Sequence, residues 1–578
     1  MSPSLLPGGV DRRSFLGLCA AAGIGGGLAG ALWQEAAAQG TPPGAGPPGQ
    51  QQAPGPITVE VVAAAEVVAG LAFTAAEREM MVQDLNNALR SLASLRALSL
   101  PNEVAPALLF QVPGPVEPVA VPAARARVRP VGRPATEAEL AFRSVAELSE
   151  LVRSRRVTSE ELTRMSLDRL RRHDPVLSCV VNLTEDRALE QAREADREIA
   201  AGRWRGPLHG IPWGAKDLLA VPGYPTTWGS PIYKDQVLAE TATVVERLDR
   251  AGAVLVAKLS LGELAQGDVW HGGTTRNPWN PEQGSSGSSA GPASATAAGL
   301  VPFTIGSETL GSIISPSTRC GVTGLRPTFG AVSRHGAMAL SWSMDKLGPI
   351  CRTAEDCALV YDAIRGPDGR DRTVRGAPFS WDPERPLGTI RVGTLDAALS
   401  QERAGKPFDD ATLAVIREWG IPVVPVVGPA DLPVNSLRII LTAEAAAAFD
   451  ELTREDLDDR MVRQQRGAWP NSFRAARFIS AVDYIQANRV RTLLMERMDE
   501  ALRDVDVLVA PTSGGNMLLV TNLTGHPAVV LPNGFTAQGT PVSITFIGKP
   551  FGEAALLRVA MAYQDATDFH RRHPAAFQ

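Results

Sequence analysis

Lys216, in the segment GPLHGIPWGAKDL, is a lone cation inside an apolar run punctuated by Pro and Gly. A lysine in such a setting is a candidate buried amine, and a buried amine beside serine hydroxyls can act as a base. The serines lie downstream, in the Gly/Ser-dense stretch 284–328. That stretch holds two groups of small residues, GSSAG with Ser288 and Ser289 and ETLGS with Ser312, separated by an apolar segment that cannot be a linker. Small residues let backbone amides approach one another and a developing oxyanion, as acyl transfer to a serine requires.

A serine hydroxyl is a weak nucleophile at neutral pH, so Ser312 must lose its proton as it attacks. Histidine is the usual base, but the 7 histidines lie in unrelated segments. Lys216 can serve only when neutral, so burial must bring its pKa down from about 10.4, and a fall of about three pKa units corresponds to about 4 kcal/mol against the ammonium form. Two rival serine motifs are weaker. GSSAG fits the G-x-S-x-G nucleophile elbow with Ser289 at its centre, yet the preceding NPEQGSSG reads as turn and loop rather than strand. Ser343 and Lys346 in SMDK fit Ser-x-x-Lys without its companion motifs. No H-E-x-x-H, carboxylate/His cluster or phosphate-cradling glycine loop is present, so the sequence implies neither metal nor cofactor.

In their order and spacing these pieces resemble the amidase signature family of serine hydrolases, from about Glu137 to the C-terminus and most strongly between Gly206 and Pro349. The resemblance implies a Ser–cis-Ser–Lys triad: Lys216 as base, Ser288 as bridging serine preceded by a cis peptide, and Ser312 as nucleophile. The 24-residue separation of Ser288 and Ser312 agrees with the family's, and the trailing CGVTGLRPT also matches. It further implies an oxyanion hole from the backbone N–H groups of Thr309, Leu310, Gly311 and Ser312, with Ser289 in support. The chain departs from the family in having Glu308 for Asp, Ile314 for Arg, Leu310 for Gly, and Ser286 and Ala290 for Gly. Arg319 is expected to compensate by pairing with Glu308. His335, Trp342 and Asp345 match a segment near the active-site wall, with packing an equal reading for each.

These groups must be held by a larger frame. A chain of 578 residues with 44% hydrophobic and 21% charged residues has the composition of a globular protein. A net charge of −5 without a basic, aromatic-interleaved patch excludes strong attraction to nucleic acid. Helical spacing in 59–73 and 75–98 predicts a small appendage, which either packs on the main body or serves as a docking surface. Thr158 with Glu160 and Glu161 predicts a capped helix. VVERLDRAGAVLVAKL reads as helix, turn and buried strand, ASATAAGLVPFTIG as helix and strand, and DVLVAP and HPAVVLP as later strands. The predicted fold is α/β: a single large domain with a central mixed β-sheet covered by helices, plus the N-terminal helical appendage.

At the N-terminus, Arg12 and Arg13 precede a weakly apolar Gly/Ala-rich run ending near Ala36-Ala37-Ala38, the pattern of a twin-arginine export signal. The expected organisation is a signal at 1–38, a Pro/Gly-rich linker at 39–56, the helical appendage and extended connector at 57–134, and the amidase-like domain at 135–578. Location is then periplasmic or secreted, with no stable membrane anchor after cleavage. Of the 5 cysteines, those after Cys19 fit no zinc or redox spacing and read as buried thiols. The expected activity is hydrolysis of carboxamide C–N bonds through an acyl-enzyme on Ser312, with a small-molecule amide and water as reactants. No nucleic-acid partner is expected, and self-association into a homo-oligomer stays open. The alternatives are a carbamate or ester hydrolase, the glutaminase-type subunit of a tRNA-dependent amidotransferase, which the same segment resembles, and a non-catalytic binding protein on the same scaffold.

Overall fold

The computed structural model of the protein describes residues 56–100, 104, 106–108, 123–127 and 131–578. The expected export signal and nearly all of the linker lie outside these residues. In chain order the main sheet is built from β1 (Val180–Leu183), β2 (Pro212–Lys216), β3 (Val254–Leu259), β4 (Phe303–Glu308), β5 (Thr323–Arg326), β6 (Lys346–Cys351), β7 (Val392–Thr394), β8 (Val423–Pro425), β9 (Val507–Pro511), β10 (Ala528–Phe535) and β11 (Pro541–Gly548). They form one 11-stranded mixed sheet in the order β1-β3-β2-β4-β6-β5-β10-β11-β9-β7-β8. The fold is mixed α/β with helices over a large central sheet.

The strands that position the site are parallel and sequestered. Every residue of β2 and β3 is buried, and such two-sided burial produces continuous apolar runs rather than alternation. β2 lies between β3 and β4, parallel to both, with Trp213 opposite Phe303 and Ala215 opposite Ile305. Trp213 and Phe303 are fully buried and stack at 6.1 Å, fixing this register beneath the site. Lys216 therefore emerges at the carboxyl end of β2, where open α/β sheets place their ligands. β6 runs antiparallel to β4 and sets Lys346 opposite Glu308.

The expected helices form where the spacing places them. Thr158 caps Ser159–Leu177 by accepting from the Glu161 N–H, and the helix Ala290–Ala297 leads into β4. The segment 280–284, read from sequence as turn and loop, is instead a short strand paired with Arg276–Asn277. It ends before Ser285, so no strand runs directly into Ser289. Cys179, Cys320, Cys351 and Cys357 are buried free thiols, as expected.

The appendage comprises the helices Val59–Ala69 and Ala75–Arg96, the second opened by a capping box between Thr74 and Glu77. It packs on the main body. Val62, Phe73, Met81 and Leu85 form an apolar cluster with Ala475 and Phe478. Arg96 donates to Asp483, and Asn471 to Asp84 at 2.7 Å. The buried Arg474 reaches Glu77 at 2.5 Å, Asp459 at 2.9 Å and Asp458 at 3.1 Å. Among the described residues no helix is long and apolar enough to cross a membrane.

Candidate active site

Lys216 is 0% exposed, against the usual preference of lysine for the surface. Its Nζ lies 2.8 Å from Ser288 Oγ, 3.1 Å from Ser289 Oγ, 2.8 Å from Ser307 Oγ and 3.4 Å from the Ser307 carbonyl. Burial pushes its pKa well below the ordinary lysine value, and the Asp345 and Glu308 carboxylates restore only part of the fall. The nearest neighbours are hydroxyls and a carbonyl, which solvate a neutral amine without compensating a full positive charge.

Ser288 and Ser289 stand at the start of the helix Ala290–Ala297, and the Gly287–Ser288 peptide is cis, the geometry the resemblance implies. The chain must be glycine at 287: a Cβ there would lie 1.8 Å from the Gly267 carbonyl oxygen. Ser289 does not cap its helix. Its hydroxyl donates to the Ser307 carbonyl and accepts from the Ser307 N–H, both at 3.1 Å, tying the serine loop to the end of β4. The Ser289 N–H donates to the Ser312 carbonyl at 3.0 Å, which brings the two serine segments side by side. Ser312 is 7% exposed, and among the described residues its hydroxyl makes no hydrogen bond.

Between β4 and the helix Ile314–Cys320 the chain turns sharply through Gly311, whose φ is +88°. A Cβ here would lie 2.9 Å from Ser315 Oγ, in a backbone region that L side chains rarely adopt. Among the described residues, none of the backbone N–H groups of Thr309, Leu310, Gly311 and Ser312 finds an acceptor. Buried amides are normally paired, so a run of free donors beside a hydroxyl is suited to receiving an oxyanion. Leu310 packs toward the apolar cluster that contains Ile314 and Leu519.

Glu308 holds this turn. One carboxylate oxygen accepts from the Ile313 and Ile314 N–H groups at 2.8 and 2.9 Å. The other accepts from Arg326 at 2.9 Å and Asn522 at 2.8 Å. Burial alone would raise its pKa, but the Arg326 charge, the Ile314 amide and Asn522 outweigh it and hold the carboxyl below the usual range. The expected Arg319–Glu308 pair does not form. Arg319, in the last turn of Ile314–Cys320, donates to Gln283 at 3.2 Å. Glu308 is 0% exposed, so its partner must come from within the sheet, and Arg326 at the end of β5 is itself fully buried.

The remaining candidates separate cleanly. Asp345 Oδ1 accepts from Thr309 Oγ1 at 2.5 Å, and Oδ2 from the Leu340 and Ser341 amides at 2.8 and 2.9 Å. A cleft of about 290 Å³ opens beside Ser307, Thr309 and Asp345, with His335 and Trp342 in its wall. Trp342 is 51% exposed rather than packed. Trp469 is core: it stacks on Phe473 at 5.1 Å, and its indole N–H donates to the Leu264 carbonyl at 2.9 Å. Ser343 donates to Glu444 while Lys346 donates to the Met344 carbonyl, so the Ser-x-x-Lys match is accidental.

Sequence reasoning missed Ser307, the Glu308–Arg326–Asn522 clamp and the Thr309–Asp345 bond. Ser307 had a local signal, since it directly precedes Glu308 in the strand leading to Ser312. The clamp had none, because Asn522 lies 214 residues from Glu308.

Comparison with known proteins identifies the family. The family model described as Amidase matches residues 161–520. A glutamyl-tRNA(Gln) amidotransferase subunit from Carboxydothermus hydrogenoformans is 32% identical over 484 residues, covering 75% of this chain and 99% of the relative. The corresponding subunit from Heliobacterium modesticaldum is 35% identical over 489 residues, with the same coverage. Among solved structures, native peptide amidase from Stenotrophomonas maltophilia superposes with a TM-score of 0.66 at 31% identity, covering 73% of this chain and 96% of that one. The chain belongs to the amidase family and is an amidohydrolase acting on C–N amide bonds.

Proposed function

We propose that this amidase is an exported enzyme that cleaves a small-molecule carboxamide through an acyl-enzyme on Ser312, with Ser288 as proton relay and Lys216 as base. The observation that carries the reading is the fully buried Lys216 amine 2.8 Å from Ser288 Oγ, next to a turn of unpaired amides that begins at Thr309.

Proton accounting at Lys216 supports the direction of the relay. A neutral amine has two N–H donors and one lone pair. Ser289 spends its own proton on the Ser307 carbonyl and can only accept from Lys216. With Ser289 and Ser307 taking the two amine protons, the lone pair is left for the hydroxyl of Ser288. Ser288 then gives its proton to Lys216 as it takes the one from Ser312. The Ser312 oxygen adds to the amide carbonyl, and the N–H groups from Thr309 to Ser312 hold the resulting oxyanion. Collapse expels the amine, which takes a proton back through Ser288. Water repeats the sequence on the ester. Among the described residues Ser288 and Ser312 share no hydrogen bond, and such contacts commonly tighten only when substrate binds.

Export rests on the Arg12-Arg13 pattern and the small-residue run after it. The identity of 32–35% to amidotransferase subunits favours a second reading, a glutaminase subunit that delivers ammonia to a partner. Hydrolysis of aryl, aliphatic and C-terminal peptide amides, carbamates and glutamine by the secreted protein alone separates the two. Turnover of simple amides that is lost in Ser312→Ala, with folding retained, is the expected result. Ammonia release from glutamine only in the presence of another subunit contradicts it.

A further inference from the structure

The cleft beside Thr309 has an apolar body and a charged rim. Leu218, Ala265, Met338, Leu340 and Leu347 line its interior, and Arg334, Arg370 and Arg372 stand around its mouth. Two of these cations are already engaged. Arg334 pairs with Asp371 at 3.0 Å and also donates to the Trp342 carbonyl at 2.7 Å. Arg370 pairs with Glu246 at 2.6 Å. Arg372 is exposed and, among the described residues, makes neither ion pair nor hydrogen bond. Arg370 also lies 3.6 Å from Asp368, so Asp371, Glu246 and Asp368 are all taken up by Arg334 and Arg370, and Arg372 is the rim guanidinium without a carboxylate partner among the described residues. The His335 ring lies 3.9 Å from Glu240.

We propose that Trp342 and Arg372 form a subsite for the far end of the substrate, and that this end is a carboxylate carried on an apolar body. The inference rests on the amidase reading above and names the substrate class for the same site. Trp342 keeps half its surface in solvent while Arg334 ties down its main-chain carbonyl, so its indole stands in the cleft wall rather than in the core. An exposed aromatic face beside a free guanidinium suits a group that is flat or aliphatic along its length and anionic at its tip. Asp345 stands on the floor near Thr309 and disfavours an anion close to the reacting carbonyl. The negative end is therefore placed at the mouth and the scissile amide at the floor.

Two matched series of amides test this. One bears the carboxylate at the end of the acyl chain, the other on the amine portion, and each carries a methyl-ended counterpart of equal length. In at least one series the carboxylate member is expected to exceed its counterpart in kcat/KM by about fivefold or more, the size of one partly screened charge-assisted hydrogen bond. The preference shrinks in 0.5 M salt, as an exposed pair must. Arg372→Gln collapses the ratio toward one, and Trp342→Ala raises KM more than it lowers kcat. Equal rates for both members in both series, or a preference untouched by Arg372→Gln, overturns the subsite while leaving the amidase reading in place. No turnover of any amide together with no fluorophosphonate labelling of Ser312 overturns both.

Discussion

At the scale of single residues, the site is a compromise between catalysis and stability, with Lys216 at its centre. In the unfolded chain this amine binds its proton up to about pH 10.4, whereas in the fold burial keeps its pKa well below that value. Between the two values the unfolded state holds more protons, so stability rises with pH through that window, and at neutral pH Lys216 destabilises the fold. Lys216→Met is therefore expected to abolish turnover yet raise stability at pH 7 by about 1–3 kcal/mol, less than the full cost of neutralisation because bonds to three serines are lost. Urea denaturation at pH 7 and pH 10 checks this, and the gain should shrink at the higher pH. Glu308 behaves in the opposite sense. Its carboxyl is held below the usual range, so its contribution is present at neutral pH and is lost as pH falls through its folded value. Glu308→Ala leaves Arg326 buried without a counter-charge and should cost about 3–5 kcal/mol. Arg319→Ala, which removes only a bond to Gln283, should stay within about 0.5 kcal/mol of the parent protein. A severe Arg319 variant beside a mild Glu308 variant would invert the assignment of the clamp.

At the scale of elements, the carboxyl ends of β2 and β4 and the starts of two helices converge on one point. β2 contributes Lys216, the helix Ala290–Ala297 is preceded by Ser288 and Ser289, and the turn after β4 carries Thr309 to Ser312. This much was legible in the sequence, because small residues at a fixed separation and a lysine in an apolar run are local signals. The strand runs and helix caps were legible for the same reason. The order of strands across the sheet was not: β2 lies between β3 and β4 only because of how distant segments pack, and no residue of GAKDL encodes its neighbours. Arg326 was hidden for that reason, since sequence distance favours Arg319 and the sheet favours Arg326. The appendage shows the same limit. Its helices were readable from spacing, but not the surface they cover. Met81 is 0% exposed and packs in the cluster with Ala475 and Phe478. Met81→Ala should cost about 2–5 kcal/mol, measured by thermal or chemical unfolding. A change near zero would mean that the appendage is a detached arm.

Across the whole molecule, the amidase body and the appendage meet through the segment that lies against the Ser288–Ser289 loop. Arg474, bound to Glu77 of the appendage, belongs to the helix Trp469–Ala476. Trp469 of that helix donates to the Leu264 carbonyl, and Gly267, a few residues on, lies against Gly287. The appendage is thus part of the frame around the site. The proposed mechanism needs a neutral amine at Lys216 to activate Ser312 through Ser288, and the rate at which a fluorophosphonate labels the protein across pH 5 to 11, with the modified residue mapped by peptide mass, reports on that amine. Labelling of Ser312 with an acid limb well below about pH 10.4, and loss of that limb in Lys216→Met, is the expected result. Labelling at another serine, or a limb at the ordinary lysine value that survives the substitution, would contradict it.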